Sequence, residues 1–399
     1  MQRVDRINLK IGVLIPERFE ISSMVQQRIQ EISSWLKHGD YDLARRRLLD
    51  LVYDTDQKEW LMETILWSKE FQEAKNLDNW LQHAKEILER CNGFQQHDNT
   101  KKSDVFLIQS EGISKTYFNG FFSLKPIAVH LQPGEIIGVV GENGNGKTTL
   151  LRSIAGQLES GIKPSNFSYL KGDEFFFYDL KYSTGFIPQR IPRWYGKLRD
   201  NLHFTAATHG LKGAQNDLMV DFVLERFGLS KFANLKWTQI SSGYRTRFEI
   251  ARLILQRPPV LILDEPLANL DIIAQQTLLQ DLRFIARSTR HPMGVLLTSQ
   301  QLFEVEKVAD RVLFIQKGIG KYNDTSVTEG FHVFEIETTA SREQLESALG
   351  ENATRIRYNG GIFEIEAAGD EQKCLELLVN QKLPVHYFRN ITHSAKRYF

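Results

Sequence analysis

In the N-terminal part of the chain, apolar residues recur at helical rather than strand spacing. Ile21, Val25, Ile29, Ile32 and Leu36 fall three or four apart and predict one helix. A second follows Gly39-Asp40 and places Tyr41, Ala44, Leu48 and Leu51 on one face. A third is expected to open at Asp56, with Glu59 three residues on as in a capping box, and to carry Trp60, Leu61 and Ile65. A fourth runs from Asp78 through Trp80, Leu81, Ala84, Leu88 and Cys91. Short helices of this kind bundle. Residues 1–95 are therefore expected to form a helical domain with its tryptophans in its own core.

The periodicity then changes twice. Residues 96–104 are polar and predict a linker. From Val105 strands and helices alternate, which argues for an α/β domain over residues 105–325. After Lys317-Gly318 a smaller pattern begins. Phe331 to Glu337 alternates as a strand, and Ser341 opens a helix to Leu349. Arg355–Tyr358 and Ile362–Glu366 form a hairpin around Asn359-Gly360-Gly361, Glu371–Asn380 is a helix, and Val385–Phe388 a last strand. That β-α-β-β-α-β order predicts a small α+β, ferredoxin-like domain over residues 330–399.

Two motifs in the middle domain carry chemistry. Gly141-Glu142-Asn143-Gly144-Asn145-Gly146-Lys147-Thr148-Thr149 fits G-x-x-x-x-G-K-[ST], between a β-branched strand from Glu135 and a helix from Leu150. Glycines let backbone N–H groups turn inward around an anion, and the helix N-terminus adds its positive dipole end. Lys147 then supplies a cation for the β/γ-phosphates of a nucleotide, and Thr148 a hydroxyl for Mg²⁺. The second motif is the apolar run Val260–Leu263 ending in Asp264-Glu265-Pro266. Ligands bind at the carboxyl ends of such strands. Asp264 is the expected metal ligand, and Glu265 is expected to polarise an attacking water.

Between these motifs lies Ile240-Ser241-Ser242-Gly243-Tyr244-Arg245, and with it the chain resembles an ATP-binding-cassette (ABC) ATPase from about Val105 to Lys317. The run is similar to the family signature, with Ser242 and Tyr244 in place of the commoner glycine and glutamine. Gly185–Gln189 resembles the Q-loop, with Gln189 as the metal- and water-sensing residue, and Leu267–Asp271 resembles the D-loop, ending in Asp271. Tyr117 stands where the family stacks an aromatic on adenine. The resemblance implies a P-loop nucleotide-binding domain whose helical subdomain spans about 190–250, with ATP and Mg²⁺ as cofactors. Tyr117, Gly141, Asn143, Gly144, Gly146, Lys147, Thr148, Thr149, Gln189, Ser241, Gly243 and Asp271 are then the nucleotide-binding set. Thr148, Gln189 and Asp264 hold the metal, and Glu265 and Gln300 are catalytic. The family works as a head-to-tail dimer in which Ser241 and the N–H of Gly243 complete the partner's γ-phosphate cage. One element departs: Gln300 occupies the place of a histidine. Glutamine donates a hydrogen bond but carries no charge. Binding is thus expected to survive while hydrolysis slows.

A single phosphate loop disfavours the tandem-cassette translation factors, and the lack of a heptad insert disfavours the coiled-coil chromosome ATPases. The serine-rich signature, the run Leu302–Arg311 and the small tail resemble the ATPase subunits of ABC-2-type exporters. That resemblance implies a homodimer on a separate permease, peripheral to the cytoplasmic face of the cell membrane. The aromatics of Ile191–Gly196 are the expected grip. The alternative is a soluble cassette ATPase acting as a partner-regulated scaffold, with the N-terminal helices as a protein-docking face. Composition fits either: the formal charge of +1 gives no field for nucleic acid. The two cysteines, far apart in sequence, imply no disulfide framework. No secretory signal is expected at the N-terminus, and no window of the sequence is apolar enough to span a membrane.

Overall fold

Four apolar residues in a row, Val260–Leu263, can be buried on both faces only inside a parallel sheet. A computed structural model of the chain places them so. It describes residues 18–71, 77–94, 106–118, 120, 122–160, 162–170, 177–268, 270–300, 302–322 and 331–392. The expected linker at 96–104, Asn269, Gln301 and the side chain of Ile21 lie outside the described residues.

The N-terminal part forms α1 (Arg18–His38), α2 (Tyr41–Asp54), α3 (Lys58–Glu70) and α4 (Leu77–Gly93). An antiparallel pair follows, β1 (Ile108–Thr116) and β2 (Ser123–Leu131). The α/β part then runs β3 (Ile136–Val140), α5 (Lys147–Ile154), α6 (Phe177–Ser183), β4 (Thr184–Ile187), α7 (Leu198–Thr208), α8 (Gly213–Arg226) and α9 (Ser242–Gln256). It continues with β5 (Val260–Leu263), α10 (Ile272–Ala286), β6 (Gly294–Ser299), α11 (Leu302–Glu306), β7 (Arg311–Gln316) and β8 (Ile319–Tyr322). The tail holds β9 (Phe331–Glu337), α12 (Arg342–Leu349), β10 (Ala353–Asn359), β11 (Ile362–Ala368), α13 (Glu371–Asn380) and β12 (Tyr387–Asn390).

The main sheet has the order β4-β5-β6-β3-β7-β8, with β4, β5, β6 and β3 parallel. Its register decides where chemistry can occur. Ile187 pairs with Leu263, Leu263 with Leu297, and Val140 with Ser299. Four strands therefore end nearly level, and the residues just beyond them come to one edge. No helix among the described residues is long and apolar enough to cross a membrane.

The N-terminal helices differ from the separate bundle expected of them. The chain divides into two compact units, and residues 1–310 fall into one of them together with 315–320. Trp67 and Trp80 do pack within the helices, with rings 4.4 Å apart and each indole N–H donating to the other's carbonyl at 3.0 Å. Trp35 instead meets Phe284 of α10. Tyr53 of α2 stacks on Phe222 of α8 at 4.7 Å. Between them lies a buried cluster of charges. Asp281 of α10, wholly buried, pairs with Arg47 at 2.7 Å, Arg46 at 3.2 Å and Arg226 of α8 at 2.8 Å. Arg226 also holds Asp50, Arg45 holds Glu225 at 3.0 Å, and Arg28 holds Asp54 at 2.7 Å. Arg45-Arg46-Arg47 is assigned no role from the sequence, and the counter-charges Glu225 and Asp281 come from residues far along the chain. The capping box at Asp56 is also absent: Gln57 is the N-cap of α3 without a side-chain bond, and Asp56 turns at φ 59°.

The second unit, which includes residues 321–399, has an antiparallel sheet of order β10-β11-β9-β12. Phe334, Ile336, Ile365, Leu345, Leu349 and Leu378 form its core with α12 and α13. Ser341 caps α12 in a capping box with Gln344. Gly360 and Gly361 turn the β10–β11 hairpin at φ 58° and 94°, which is why glycine stands there. The last strand lies two residues later than the sequence pattern implies.

Asp281 is the residue to test. Burial alone would push its carboxyl up, but Arg226, Arg47 and Arg46 outweigh that and hold it well below the usual carboxylate range. A carboxylate depressed in the folded state stabilises above its unfolded pKa and loses that contribution as pH falls through the folded value. Asp281→Asn, which leaves three guanidinium groups short of a counter-charge, is expected to destabilise by about 3–5 kcal/mol. The contribution persists in wild type down to strong acid and is missing from the variant at every pH. Urea unfolding across pH checks this; an unchanged midpoint near neutrality contradicts it. Removing residues 1–95 bares the same cluster together with Phe222 and Phe284, so the remainder is expected to unfold at lower denaturant than the full chain.

Candidate functional site

The level carboxyl edge of β3, β4, β5 and β6 carries, in order, the glycine-rich loop, Gln189, Asp264-Glu265 and Gln300. The loop conformation requires its glycines at two points. Gly141 sits at φ 148°, where a Cβ would come 2.2 Å from the Ile315 carbonyl oxygen, and Gly146 at φ 109°, where one would meet the Phe122 ring at 2.7 Å. Gly144 is also left-handed, at φ 81°, and Asn143 is exposed on the loop. Lys147 begins α5 and is buried. Its Nζ donates to the carbonyls of Gly141 at 2.7 Å and Glu142 at 3.2 Å and lies 3.8 Å from Glu265 Oε1. Burial lowers the pKa of this ammonium, while Glu265 and Asp264 draw it back up. The ammonium is thus folded over the loop, beside the carboxylates.

Thr148 Oγ1 donates to Asp264 Oδ1 at 3.1 Å. Those two groups are hard oxygen donors of the kind Mg²⁺ takes, whereas the contact Gln189 makes is through its amide N–H to Glu265. Glu265 collects neutral donors: Gln189 Nε2 at 2.5 Å and Gln300 Nε2 at 3.2 Å to both carboxylate oxygens. Tyr117 is half-buried past the end of β1, and its hydroxyl lies 3.2 Å from Thr149 Oγ1. The structure therefore ties Lys147, Thr148, Gln189, Asp264, Glu265 and Gln300 into one network through Thr298, with the Tyr117–Thr149 pair as a separate contact.

Ser241, Gly243 and Asp271 are placed by other contacts. Ser241 is the exposed N-cap of α9, and a Cβ on Gly243 would lie 3.3 Å from Leu270. Asp271 caps α10 by accepting from Ala274 N at 2.8 Å. Two further residues at this edge are assigned no role from the sequence. Asn145 clamps the phosphate loop to the β7–β8 turn, its Oδ1 accepting from Lys317 N at 2.8 Å and its carbonyl from Gly318 N at 3.2 Å. Thr298 of β6 bonds both Asp264 and the Glu265 backbone.

A phosphate loop, an adjoining carboxylate pair and a level parallel sheet edge make this unit a nucleoside-triphosphatase of the cassette type. The family pattern described as ABC transporter matches residues 124–268. The "Uncharacterized ABC transporter ATP-binding protein YdbJ" of Bacillus subtilis (strain 168) is 36% identical over 283 residues, 69% of this chain and 89% of that protein. The ABC transporter ATP-binding protein NatA of the same organism is 27% identical, over 49% of this chain and 79% of its own. The putative 2-aminoethylphosphonate import ATP-binding protein PhnT of Salmonella choleraesuis (strain SC-B67) is 29% identical, over 50% of this chain and 54% of its own. The chain belongs to the ABC transporter ATP-binding proteins and is an ATPase.

Lys147 is buried beside the two carboxylates, and it is the cation expected to face a nucleotide's terminal phosphates. Lys147→Ala is expected to abolish useful ATP affinity in equilibrium titration with a fluorescent ATP analogue. Undiminished binding would place the nucleotide elsewhere.

Proposed function

We propose that this chain is the ATP-hydrolysing subunit of an exporter, working as a head-to-tail homodimer with a separate permease, peripheral to the cytoplasmic face of the cell membrane. The observation that carries the reading is the sheet edge, where Lys147 Nζ lies 3.8 Å from Glu265 and the Thr148 hydroxyl 3.1 Å from Asp264. In this reading the loop N–H groups of Gly141, Asn143, Gly144 and Gly146 cradle the phosphates, and Lys147 leaves its loop carbonyls to meet the β/γ-phosphates. Tyr117 offers a face to the adenine. Magnesium, held by Thr148 and Asp264 with Gln189 at the edge, neutralises developing phosphate charge when bound. Glu265 orients water and takes its proton. Gln189 and Gln300, which hold the Glu265 carboxylate, turn toward the water and γ-phosphate. Ser241, Gly243 and Asp271 serve the partner copy.

Several features support the assembly. Ile272 and Ile273 beside Asp271 are 70% and 77% exposed, an apolar step that a second cassette would cover. Of the aromatics expected to grip a permease, Trp194 is bound through its indole N–H to Glu249, whereas Tyr195 is 78% exposed, with Phe204 at 67% on α7. Tyr195 and Phe204 are therefore the docking candidates. The direction rests on the serine-rich signature, the Leu302–Arg311 run and the tail, which we read as a ferredoxin-like module; its strand order β10-β11-β9-β12 and two-helix core support that reading. PhnT, named for import, sets the competing direction. Co-purification with a polytopic membrane protein and transport into inverted vesicles test the assignment.

Glu265→Gln is expected to keep ATP binding, lose hydrolysis and accumulate a closed dimer on size exclusion with Mg-ATP, because the amide preserves shape but accepts no proton. Hydrolysis at the wild-type rate would remove Glu265 as the base. Gln300→His is expected to raise the ATPase rate, since imidazole can add charge where the amide cannot. A rate at or below wild type would assign Gln300 to holding Glu265, the contact it makes at 3.2 Å.

A further inference from the structure

We propose that Thr298 is the positioning residue that sets both Asp264 and Glu265 for hydrolysis. The inference rests on the reading of Glu265 as the base. Consecutive residues at a strand end point to opposite sides unless the backbone turns between them. Here it turns at Glu265, whose φ of 50° lies in the left-handed region that residues with a Cβ avoid. A conformation of that kind persists only where neighbours hold it. Thr298 Oγ1 accepts the Glu265 N–H at 2.7 Å, and Ala268 N closes the turn on the Glu265 carbonyl at 3.1 Å.

The same hydroxyl donates its one proton to Asp264 Oδ1 at 2.9 Å. The two bonds are compatible because a hydroxyl has a single donor and two lone pairs. The proton goes to the carboxylate and a lone pair takes the N–H. Asp264 Oδ1 also receives the Thr148 hydroxyl at 3.1 Å, so two donors orient that carboxylate. Thr298 is wholly buried and paired with Val139 on β3, the strand that feeds the phosphate loop. One sheet-anchored hydroxyl thus fixes the backbone of the base, the orientation of the metal-side carboxylate and the distance of both from the loop.

Thr298→Val keeps shape and removes both bonds. It is expected to lower kcat on the order of tenfold to a hundredfold, because small misplacements of a catalytic group are that costly. Affinity for a fluorescent ATP analogue and KM should stay within about threefold, since the phosphate loop is untouched. Thr298→Ser, which restores the hydroxyl, should recover most of kcat. Wild-type kcat in the valine variant, an equal loss in affinity, or no recovery in serine would overturn the proposal. Glu265→Gln is measured alongside: if it hydrolyses at the wild-type rate, the base reading fails by itself, whereas loss there with normal turnover in Thr298→Val refutes only the role of Thr298. Should valine prevent folding, Thr298→Ala leaves room for water and carries the test. If neither variant folds, Thr298 is a stability residue and the proposal falls.

Discussion

A carboxylate buried among guanidinium groups cannot be left half-paired, and Asp281 is the point at which that constraint acts on this protein. It lies at 0% exposure with Arg46, Arg47 and Arg226 around it. Taking such charges out of water costs several kcal/mol per ion, so the cluster holds only if every member stays in place. Its members sit on three elements: α2 near the N-terminus, α8 of the helical part, and α10 after the D-loop-like turn. α2 therefore joins α8 to α10 from outside both. Tyr53 on Phe222, and Arg47 over the Phe284 ring at 4.1 Å, run the same way through apolar contacts. The N-terminal helices are built into the cassette unit rather than carried beside it.

The site depends on a different constraint, the parallel register. Hydrogen bonding fixes Ile187 against Leu263 and Leu263 against Leu297. A shift of one residue would turn each strand's side chains to the other face and carry Asp264 away from Thr148. Apolar burial sets this register and polar chemistry uses it. Gln189, Asp264, Glu265 and Gln300 all stand at the first or second position beyond a strand, where the backbone is free to leave the sheet.

Much of this was legible in the sequence for a physical reason. The phosphate loop must contain glycine where its backbone is left-handed or closely approached, so Gly141, Gly144 and Gly146 advertise the site. The tail hairpin announces itself in the same way through Gly360 and Gly361. Residues whose role comes from a distant partner leave no such mark. Arg45, Arg46 and Arg47 look like a solvated stripe until Glu225 and Asp281 are brought to them. Thr298 looks like one more strand residue until the turn at Glu265 is seen to need its lone pair. Asp56 fails as a cap for the converse reason: the tertiary structure takes it into a left-handed turn, beside Arg290.

Glu265 shows how these constraints combine. Its backbone is held by a hydroxyl from β6, and its carboxylate by the amides of Gln189 beyond β4 and Gln300 beyond β6. Two neutral donors secure the carboxylate's position. Lys147 brings a cation to 3.8 Å from the Glu265 carboxylate and is itself bonded to the carbonyls of its own loop. A histidine at position 300 would set a second titrating side chain beside that carboxylate, whereas glutamine meets it with a neutral amide.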